Sequence, residues 1–263
     1  MNRKFIYFLL MLITLILLSG CIGPSNAEKL EIQNNMSAYL KNTYGMDFQV
    51  DKPVLTGNSG FGYRYYYADA RTTTGEPIEF TVRWDKTKDE FWDNYLGNKW
   101  MKQGRTVLEK KLEEVYGKDY WLEEYFFTYN DPKDKDLDYS EIIKNNSNKM
   151  QTELRYYVFL GIEDFEKEKE AKRAYKILKE MLIDNNTLQF YFNVFYIDKD
   201  KRSDLKKLFN STKNGDARKA PEKLYDENIL FNALVENYSE GISEKYNEPK
   251  VKSSTDLINK FKY

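Results

Sequence analysis

Hydrophobic and polar residues alternate most regularly at residues 78–84, where Ile, Phe, Val and Trp are separated by Glu, Thr and Arg. A period of two predicts a β-strand with one buried and one exposed face. Alternation also predicts a strand at 46–50, and a tyrosine-rich run predicts another at 63–67. Because Gly75 and Pro77 lie between the runs at 63–67 and 78–84, these two strands are expected to form an antiparallel hairpin.

Two segments with apolar residues at helical spacing flank these strands. Apolar residues recur at helical intervals in 27–44 and again in 88–116, and Gly45 and Gly117 follow where C-terminal caps belong. Residues 121–129 are predicted to form a fourth strand. The first half of the chain is therefore predicted to run from a helix through three antiparallel strands to a second helix.

The second half alternates between helices and apolar strands. Helices are predicted at 140–149 and 163–182, and strands at 154–160 and 188–197. Both strands are apolar on both faces, as in a sheet that is covered on each side. Because short links join the strands to the intervening helix, this unit is expected to be a parallel crossover.

Two further helices are predicted towards the C-terminus. A small helix lies near Leu205, and Pro221 is expected to begin the last substantial helix, with apolar residues at positions 224, 231, 234, 238 and 242. Ser254 is a candidate cap for a terminal turn. The predicted fold class is α+β. The acidic loop at 130–138 is the predicted boundary between a first half at 27–129 and a second at 139–263, although both could belong to one continuous domain.

The first residues predict the location of the protein. Arg3 and Lys4 precede an apolar stretch at 5–18, which is shorter than a typical membrane span and has the length of a signal-peptide core. The stretch ends in Leu18-Ser19-Gly20-Cys21, which resembles the lipobox of bacterial lipoproteins. This resemblance implies that residues 1–20 are a signal peptide that is removed and that Cys21 receives a diacylglycerol. Residues 21–26 would then be a tether, and two acyl chains would hold the protein stably on the membrane.

Two internal stretches are similar to a narrower group of proteins. Residues 39–48, Tyr-Leu-Lys-Asn-Thr-Tyr-Gly-Met-Asp-Phe, and residues 93–100, Asp-Asn-Tyr-Leu-Gly-Asn-Lys-Trp, resemble small uncharacterised lipoproteins of Bacillus and related low-GC Gram-positive bacteria. The resemblance implies the extracytoplasmic face of the cell membrane and brings no activity with it.

Composition excludes several classes of function. The chain has no histidine and one cysteine, so histidine-based catalytic relays, internal disulfides and thiolate metal cages are all excluded. Its 41 basic and 42 acidic side chains give a net charge of −1, which argues against a nucleic-acid partner. The 22 tyrosines could mark a sugar-binding surface, but AT-rich codon usage also explains them.

The candidate metal and phosphate sites each lack residues that such a site requires. The acidic loop with Asp131, Asp134, Asp136 and Asp138 begins like a calcium loop but lacks the later glycine and glutamate. The glycine-rich loop at 57–62 lies between strands and lacks the lysine of a phosphate-binding loop. No metal and no cofactor is therefore predicted.

Three further sets of residues have a functional and a structural interpretation. Glu123 and Glu124 could form a carboxylate pair, or lie on the open face of a strand. The basic segment at 198–219 could contact anionic lipid, or be a solvated linker. The exposed face of the hairpin is predicted to carry Arg64, Tyr66, Glu79, Thr81 and Arg83. This composition suits a surface that binds a partner, and it equally suits the solvent-exposed face of an ordinary sheet.

The sequence as a whole predicts a lipid-anchored, non-enzymatic lipoprotein that binds an envelope protein or another ligand. No catalytic residue is predicted. A solute-binding component of a transporter is an alternative, although repeated βα units would be expected of it. A carboxylate-dependent enzyme acting on cell-wall polymer is the other alternative.

Overall fold

The structure of the protein is a computed structural model. It describes residues 24–58, 63–146, 149–181, 189–205, 207, 229–238, 251 and 253–262. The chain divides into two compact units, Met1–Tyr95 and Leu96–Tyr263. The loop at 130–138, which was the predicted boundary, therefore lies within the second unit.

The first unit is a helix followed by a five-stranded antiparallel sheet. Its elements are α1 (Asn26–Tyr44), β1 (Phe48–Val50), β2 (Val54–Asn58), β3 (Tyr63–Thr72), β4 (Glu79–Asp85) and β5 (Glu90–Asp93). The strand order is β1-β3-β4-β5, and β2 pairs with β3 as well. The predicted hairpin is confirmed, because β3 and β4 are antiparallel with Ala70 opposite Phe80 and Ala68 opposite Val82.

Helix α1 covers one face of this sheet. Ser25 caps its N-terminus by accepting a hydrogen bond from the Glu28 N–H, and Gly45 ends it with a positive φ of 74°. Its apolar residues Ile32, Met36 and Leu40 recur every four positions and are fully buried. They belong to the core that Phe80 and Val82 complete from the sheet, and α1 packs on β1 and β4.

Two strands of the first unit were not predicted. Strand β2 includes Gly57, which has a φ of 115° and belongs to the loop that the sequence predicts at 57–62. Strand β5 lies within the helix that the sequence predicts at 88–116, and α2 (Tyr95–Tyr116) begins only after it. The start of α2 is fixed by Asp93, whose carboxylate accepts a hydrogen bond from the Tyr95 N–H at 2.9 Å.

The second unit contains a five-stranded mixed sheet. After α2 come β6 (Tyr120–Phe127), α3 (Tyr139–Asn146), β7 (Gln151–Leu160), α4 (Lys167–Met181), β8 (Gln189–Asp198), β9 (Ile229–Tyr238), α5 (Ser254–Ile258) and β10 (Phe261–Lys262). The strand order is β10-β9-β8-β7-β6. Strands β7 and β8 are parallel, as predicted, and the other neighbouring strands are antiparallel.

Strand β7 is buried on both faces, which confirms the prediction from its two-sided apolar pattern. Tyr156 and Val158 lie on one face, and the Tyr156 ring contacts Phe192 of β8 and Tyr116 of α2. Tyr157 and Phe159 lie on the other face, in a cluster with three further buried residues, Phe195, Ile197 and Leu205. The described part of the chain is thus a mixed α+β fold, the class that the sequence predicts.

The predicted C-terminal helix from Pro221 is wrong over its described part, because residues 229–238 form strand β9. Apolar residues at 231, 234 and 238 also fit helical spacing, but pairing with β8 along the whole strand determines the structure. The terminal turn is present as α5, and Ser253 rather than Ser254 caps it through a capping box with Asp256. No helix in the described ranges is both long and apolar enough to cross a membrane.

Candidate functional site

Several residues singled out in the sequence lie outside the described part of the chain. These are the lipidation site Cys21, the signal peptide, and residues 59–62 of the glycine-rich loop. The basic segment at 198–219 is described only at 198–205 and at Lys207.

The acidic loop is used for local hydrogen bonds. Asp131 accepts from the Lys133 N–H, and Asp138 accepts from the Glu141 N–H at 2.9 Å. Asp134 accepts from the Tyr129 hydroxyl and from the side-chain amide of Asn146. Across the described ranges, no group of three or more potential ligands is placed to hold a metal ion.

Glu123 and Glu124 lie beside Arg155 of β7. The guanidinium is 3.7 Å and 3.6 Å from these two carboxylates and 2.9 Å from that of Glu153. Tyr157 also donates a hydrogen bond to Glu123 at 3.0 Å. The pKa of both Glu123 and Glu153 is raised above its ordinary value, because burial outweighs the opposing effect of the Arg155 charge. These carboxylates share one cation, so they form an ion-pair network around Arg155.

On the open face of the first sheet, the residues of β3 differ from the prediction by one position, whereas those of β4 do not. Tyr66 lies on the buried face and donates a hydrogen bond to Glu28 at 3.1 Å. The open face carries Tyr65 and Tyr67 instead, and the Arg83 guanidinium lies 4.3 Å above the Tyr65 ring. Glu79, Thr81 and Arg83 lie on this face as predicted, and the side chain of Arg64 is outside the described set.

The second unit contains a buried polar cluster. Glu170 of α4 is 1% exposed and pairs with Arg173 at 2.8 Å. Its other carboxylate oxygen and the hydroxyls of Tyr116 and Tyr156 have no hydrogen-bond partner among the described residues. Burial raises the pKa of Glu170 and of both tyrosines. All three side chains are buried, so they offer no surface to a ligand.

A more promising site is a cleft in the first unit, between α1 and the ends of β4 and β5. We call it the aromatic cleft. It is a shallow depression, widely open to solvent, with a volume of about 460 Å³. Its lining consists of Asn35, Ala38, Tyr39, Asn42, Thr43, Trp84, Asp89 and Phe91.

The aromatic rings of the cleft form a parallel stack. The centroids of Tyr39 and Phe91 are 4.8 Å apart with an angle of 12° between the planes. Trp84 and Phe91 follow at 5.7 Å and 10°. Both separations exceed the roughly 3.5 Å contact distance of directly stacked rings, so neighbouring rings are displaced sideways. Tyr66 of β3 stacks on Trp84 as well, at 6.2 Å and 27°, so Trp84 lies between Tyr66 and Phe91.

The polar groups of these rings are held by carboxylates. Tyr39 donates a hydrogen bond to Asp93 at 2.8 Å, and Tyr44 donates to the same carboxylate at 2.9 Å. Trp84 donates its indole N–H to Asp89 at 3.1 Å. Burial, together with the Asp93 charge, raises the pKa of Tyr39 and Tyr44 well above its ordinary value, so both hydroxyls remain protonated donors.

The cleft has a polar rim beside the aromatic stack. Asn35 and Asn42 are exposed residues of α1, seven positions apart, so they lie on one side of the helix about 10 Å from each other. Their side-chain amides each donate and accept hydrogen bonds. Among the described residues, those that line the cleft include one carboxylate, Asp89, and no basic side chain.

The sequence pattern alone does not reveal this site. Asn35, Tyr39 and Asn42 do share a helix face, and that spacing was a visible signal. The other wall comes from β4, β5 and the turn between them, and β5 was not predicted. The cleft therefore depends on a tertiary contact that no local pattern encodes.

Comparisons with known proteins do not assign a family. No protein-family model matches the chain, and no curated protein matches it. One solved structure, the crystal structure of a DUF5037 family protein from Ruminococcus gnavus at 2.55 Å resolution, is 17% identical with a TM-score of 0.40. The alignment covers 80% of this chain and 92% of that chain. A likeness at this level assigns no role to this chain.

Proposed function

We propose that the protein is a lipid-anchored binding protein on the extracytoplasmic face of the cell membrane, with the aromatic cleft as its ligand-binding site. The location is supported by Leu18-Ser19-Gly20-Cys21 after a basic and an apolar stretch. The acceptor of the lipid is Cys21.

The observation that carries the binding role is a solvent-open depression of about 460 Å³ whose lining combines aromatic side chains with side-chain amides. Concave sites that combine apolar walls with a few polar groups are the usual places for small ligands. Here the rings are fixed by Asp89 and Asp93, so the wall is organised before a ligand arrives.

Binding fits this cleft better than catalysis does. Cleavage of a sugar polymer with carboxylates needs two acidic side chains that flank the bond. The lining supplies Asp89 only, and that carboxylate already accepts the indole N–H of Trp84. The three glutamates around Arg155 are elsewhere, in the second unit.

Crosslinking in intact cells tests the proposal. The photoreactive amino acid p-benzoyl-phenylalanine is placed at Asn35, on the rim of the cleft, and in a matched chain at Asn34, an exposed neighbour on α1 outside the lining. Light should attach a ligand at position 35 and not at position 34. Equal labelling at both positions, or none at either, would contradict the proposed site.

A further inference from the structure

We infer that helix α4 of the second unit docks on the anionic phospholipid headgroups of the cell membrane through a row of lysines. This inference rests on the membrane location in the proposed function and adds a second contact with the same membrane. It follows from the side of α4 that faces solvent, from the pairing of the nearby carboxylates and from a depression that the basic side chains line.

Packing determines which side of α4 faces solvent. Four fully buried residues form its apolar stripe: Ala171, Ala174, Ile177 and Leu178. At 3.6 residues per turn, the opposite side of the helix carries lysines at positions 169, 172, 176 and 179, and all four are exposed. We call these lysines, together with the adjacent Arg173, the basic face. It extends about 15 Å along the helix.

Several carboxylates near the basic face are already paired. Three ion pairs occupy them: Glu166 with Lys169 at 3.4 Å, Glu170 with Arg173 at 2.8 Å and Glu180 with Lys111 at 3.2 Å. Lys172 and Lys176, at the centre of the basic face, form no ion pair with any residue that the structure describes. Their charges are therefore available to an anionic partner.

The basic face also borders a depression of about 340 Å³. Its described lining consists of Lys169, Lys172, Arg173 and Lys176 with Glu166 and Glu168. Four basic side chains thus converge here with two acidic ones, one of which is paired with Lys169. A phosphate group accepts charge-assisted hydrogen bonds from ammonium and guanidinium groups, so the phosphate of a lipid headgroup fits this lining.

A bilayer suits a straight row of cations better than a small free anion does, because it presents many phosphates at once. Each basic residue near an anionic bilayer strengthens binding about fivefold, which corresponds to about 1 kcal/mol. A lipid anchor at Cys21 would hold the protein beside this surface permanently. Contacts that are weak by themselves would then persist, because the effective concentration of headgroups is high.

Sedimentation with vesicles tests this inference. The protein is the chain at 21–263, which the proposed processing leaves, with Cys21→Ser so that no acyl chain contributes to binding. Phosphatidylcholine vesicles with about 40% phosphatidylglycerol should bind it at least about tenfold more tightly than vesicles of phosphatidylcholine alone, and about 0.5 M NaCl should abolish the difference. Replacing both Lys172 and Lys176 by glutamine should weaken binding to the anionic vesicles about 30-fold, as two losses of about fivefold.

A second double variant provides the matched control. Lys88→Gln and Lys144→Gln together remove the same charge from two exposed lysines, one in the turn between β4 and β5 and one on α3. This variant should bind anionic vesicles within twofold of the wild type. Equal losses in the two double variants would indicate a general effect of net charge and would overturn the assignment to α4, as would equal binding to both kinds of vesicle.

Two soluble competitors distinguish a bilayer from other sources of phosphate. Inorganic phosphate and poly(glycerol phosphate) should not release the chain when their phosphate concentration equals that of the vesicles. Release by either one would overturn the membrane assignment.

The outcomes also separate this inference from the proposed function. If position 35 is crosslinked in cells but anionic vesicles do not bind the chain, only the inference about α4 fails. If the vesicles bind but nothing is crosslinked at position 35, the inference about α4 stands and the aromatic cleft is not the ligand site.

Discussion

Replacing Asp93 should destabilise the first unit more than any change to its exposed carboxylates. The Asp93 side chain is 2% exposed and accepts hydrogen bonds from the Tyr39 and Tyr44 hydroxyls and from the Tyr95 N–H, at 2.8–2.9 Å. It therefore connects the last turns of α1 to the end of β5 and to the first residue of α2. In Asp93→Ala, all of these donors lose their acceptor.

The magnitude follows from the kind of hydrogen bond. A bond to a charged acceptor contributes about 1.5–3 kcal/mol, and a buried donor left without a partner costs about 1–3 kcal/mol. Because the tyrosine hydroxyls can recover some hydration, we expect Asp93→Ala to lower the free energy of unfolding by about 3–5 kcal/mol. Asp93→Asn retains one acceptor oxygen with two lone pairs, so it should cost roughly half as much.

Urea unfolding followed by tryptophan fluorescence measures these changes, since Trp84 and Trp92 report on the first unit. Asp69→Ala, which removes an exposed carboxylate of β3, is the matched control and should change stability by less than about 0.5 kcal/mol. A loss below about 1 kcal/mol for Asp93→Ala would refute the argument that this carboxylate holds α1 in place. Equal losses for the alanine and asparagine variants would refute the hydrogen-bonding explanation.

Four other predictions follow from the sequence and the structure. Phe80→Asp should unfold the first unit, because Phe80 is buried and packs against the rings of Phe48 and Tyr95, whereas Thr81→Asp on the opposite face should be mild. Similar circular dichroism melting curves for the two variants would contradict this facing. Cys21→Ser should accumulate as an unprocessed precursor, whereas the wild type should partition into detergent; wild-type protein found free in the medium with an unmodified N-terminus would contradict lipidation. The free energy of unfolding should be nearly constant between about pH 6 and 8 and should fall above about pH 10. The fall is expected because the pKa of tyrosines such as Tyr44 is higher in the folded state than in the unfolded state, so the unfolded state loses its protons first. A steep change between pH 6 and 8 would instead indicate a strongly shifted buried carboxylate. EDTA should leave the Tm unchanged, and a large decrease would reveal a metal site.

The sequence predicts an element well where its hydrophobic pattern fits only one secondary structure and one buried face. The alternation at 78–84 specifies both the strand and its buried face, and the structure buries Phe80 and Val82 as expected. In β3, however, tyrosines occur at both odd and even positions, so the pattern does not specify which face is buried. Pairing with β4, which places Ala68 opposite Val82, determines that Tyr66 points into the core.

Other elements depend on contacts that are distant in sequence. Residues 229–238 satisfy both helical and strand spacing, and the partner strand β8 decides between them. Strand β5 has only four residues and pairs with β4, so it has little pattern of its own. Without β5, neither Phe91 nor Asp93 could be placed beside α1, and the aromatic cleft could not be predicted.

The positions of Asp89 and Asp93 explain how a chain without histidine can still form an organised polar site. Each carboxylate accepts a hydrogen bond from an aromatic side chain of the cleft, Asp89 from Trp84 and Asp93 from Tyr39. These bonds fix the orientation of the rings and occupy their polar atoms. The polar groups of the lining on α1 are the amides of Asn35 and Asn42 and the hydroxyl of Thr43, none of which changes charge near neutral pH. The cleft should therefore select ligands by shape and hydrogen bonding, and its affinity should not depend on pH in that range.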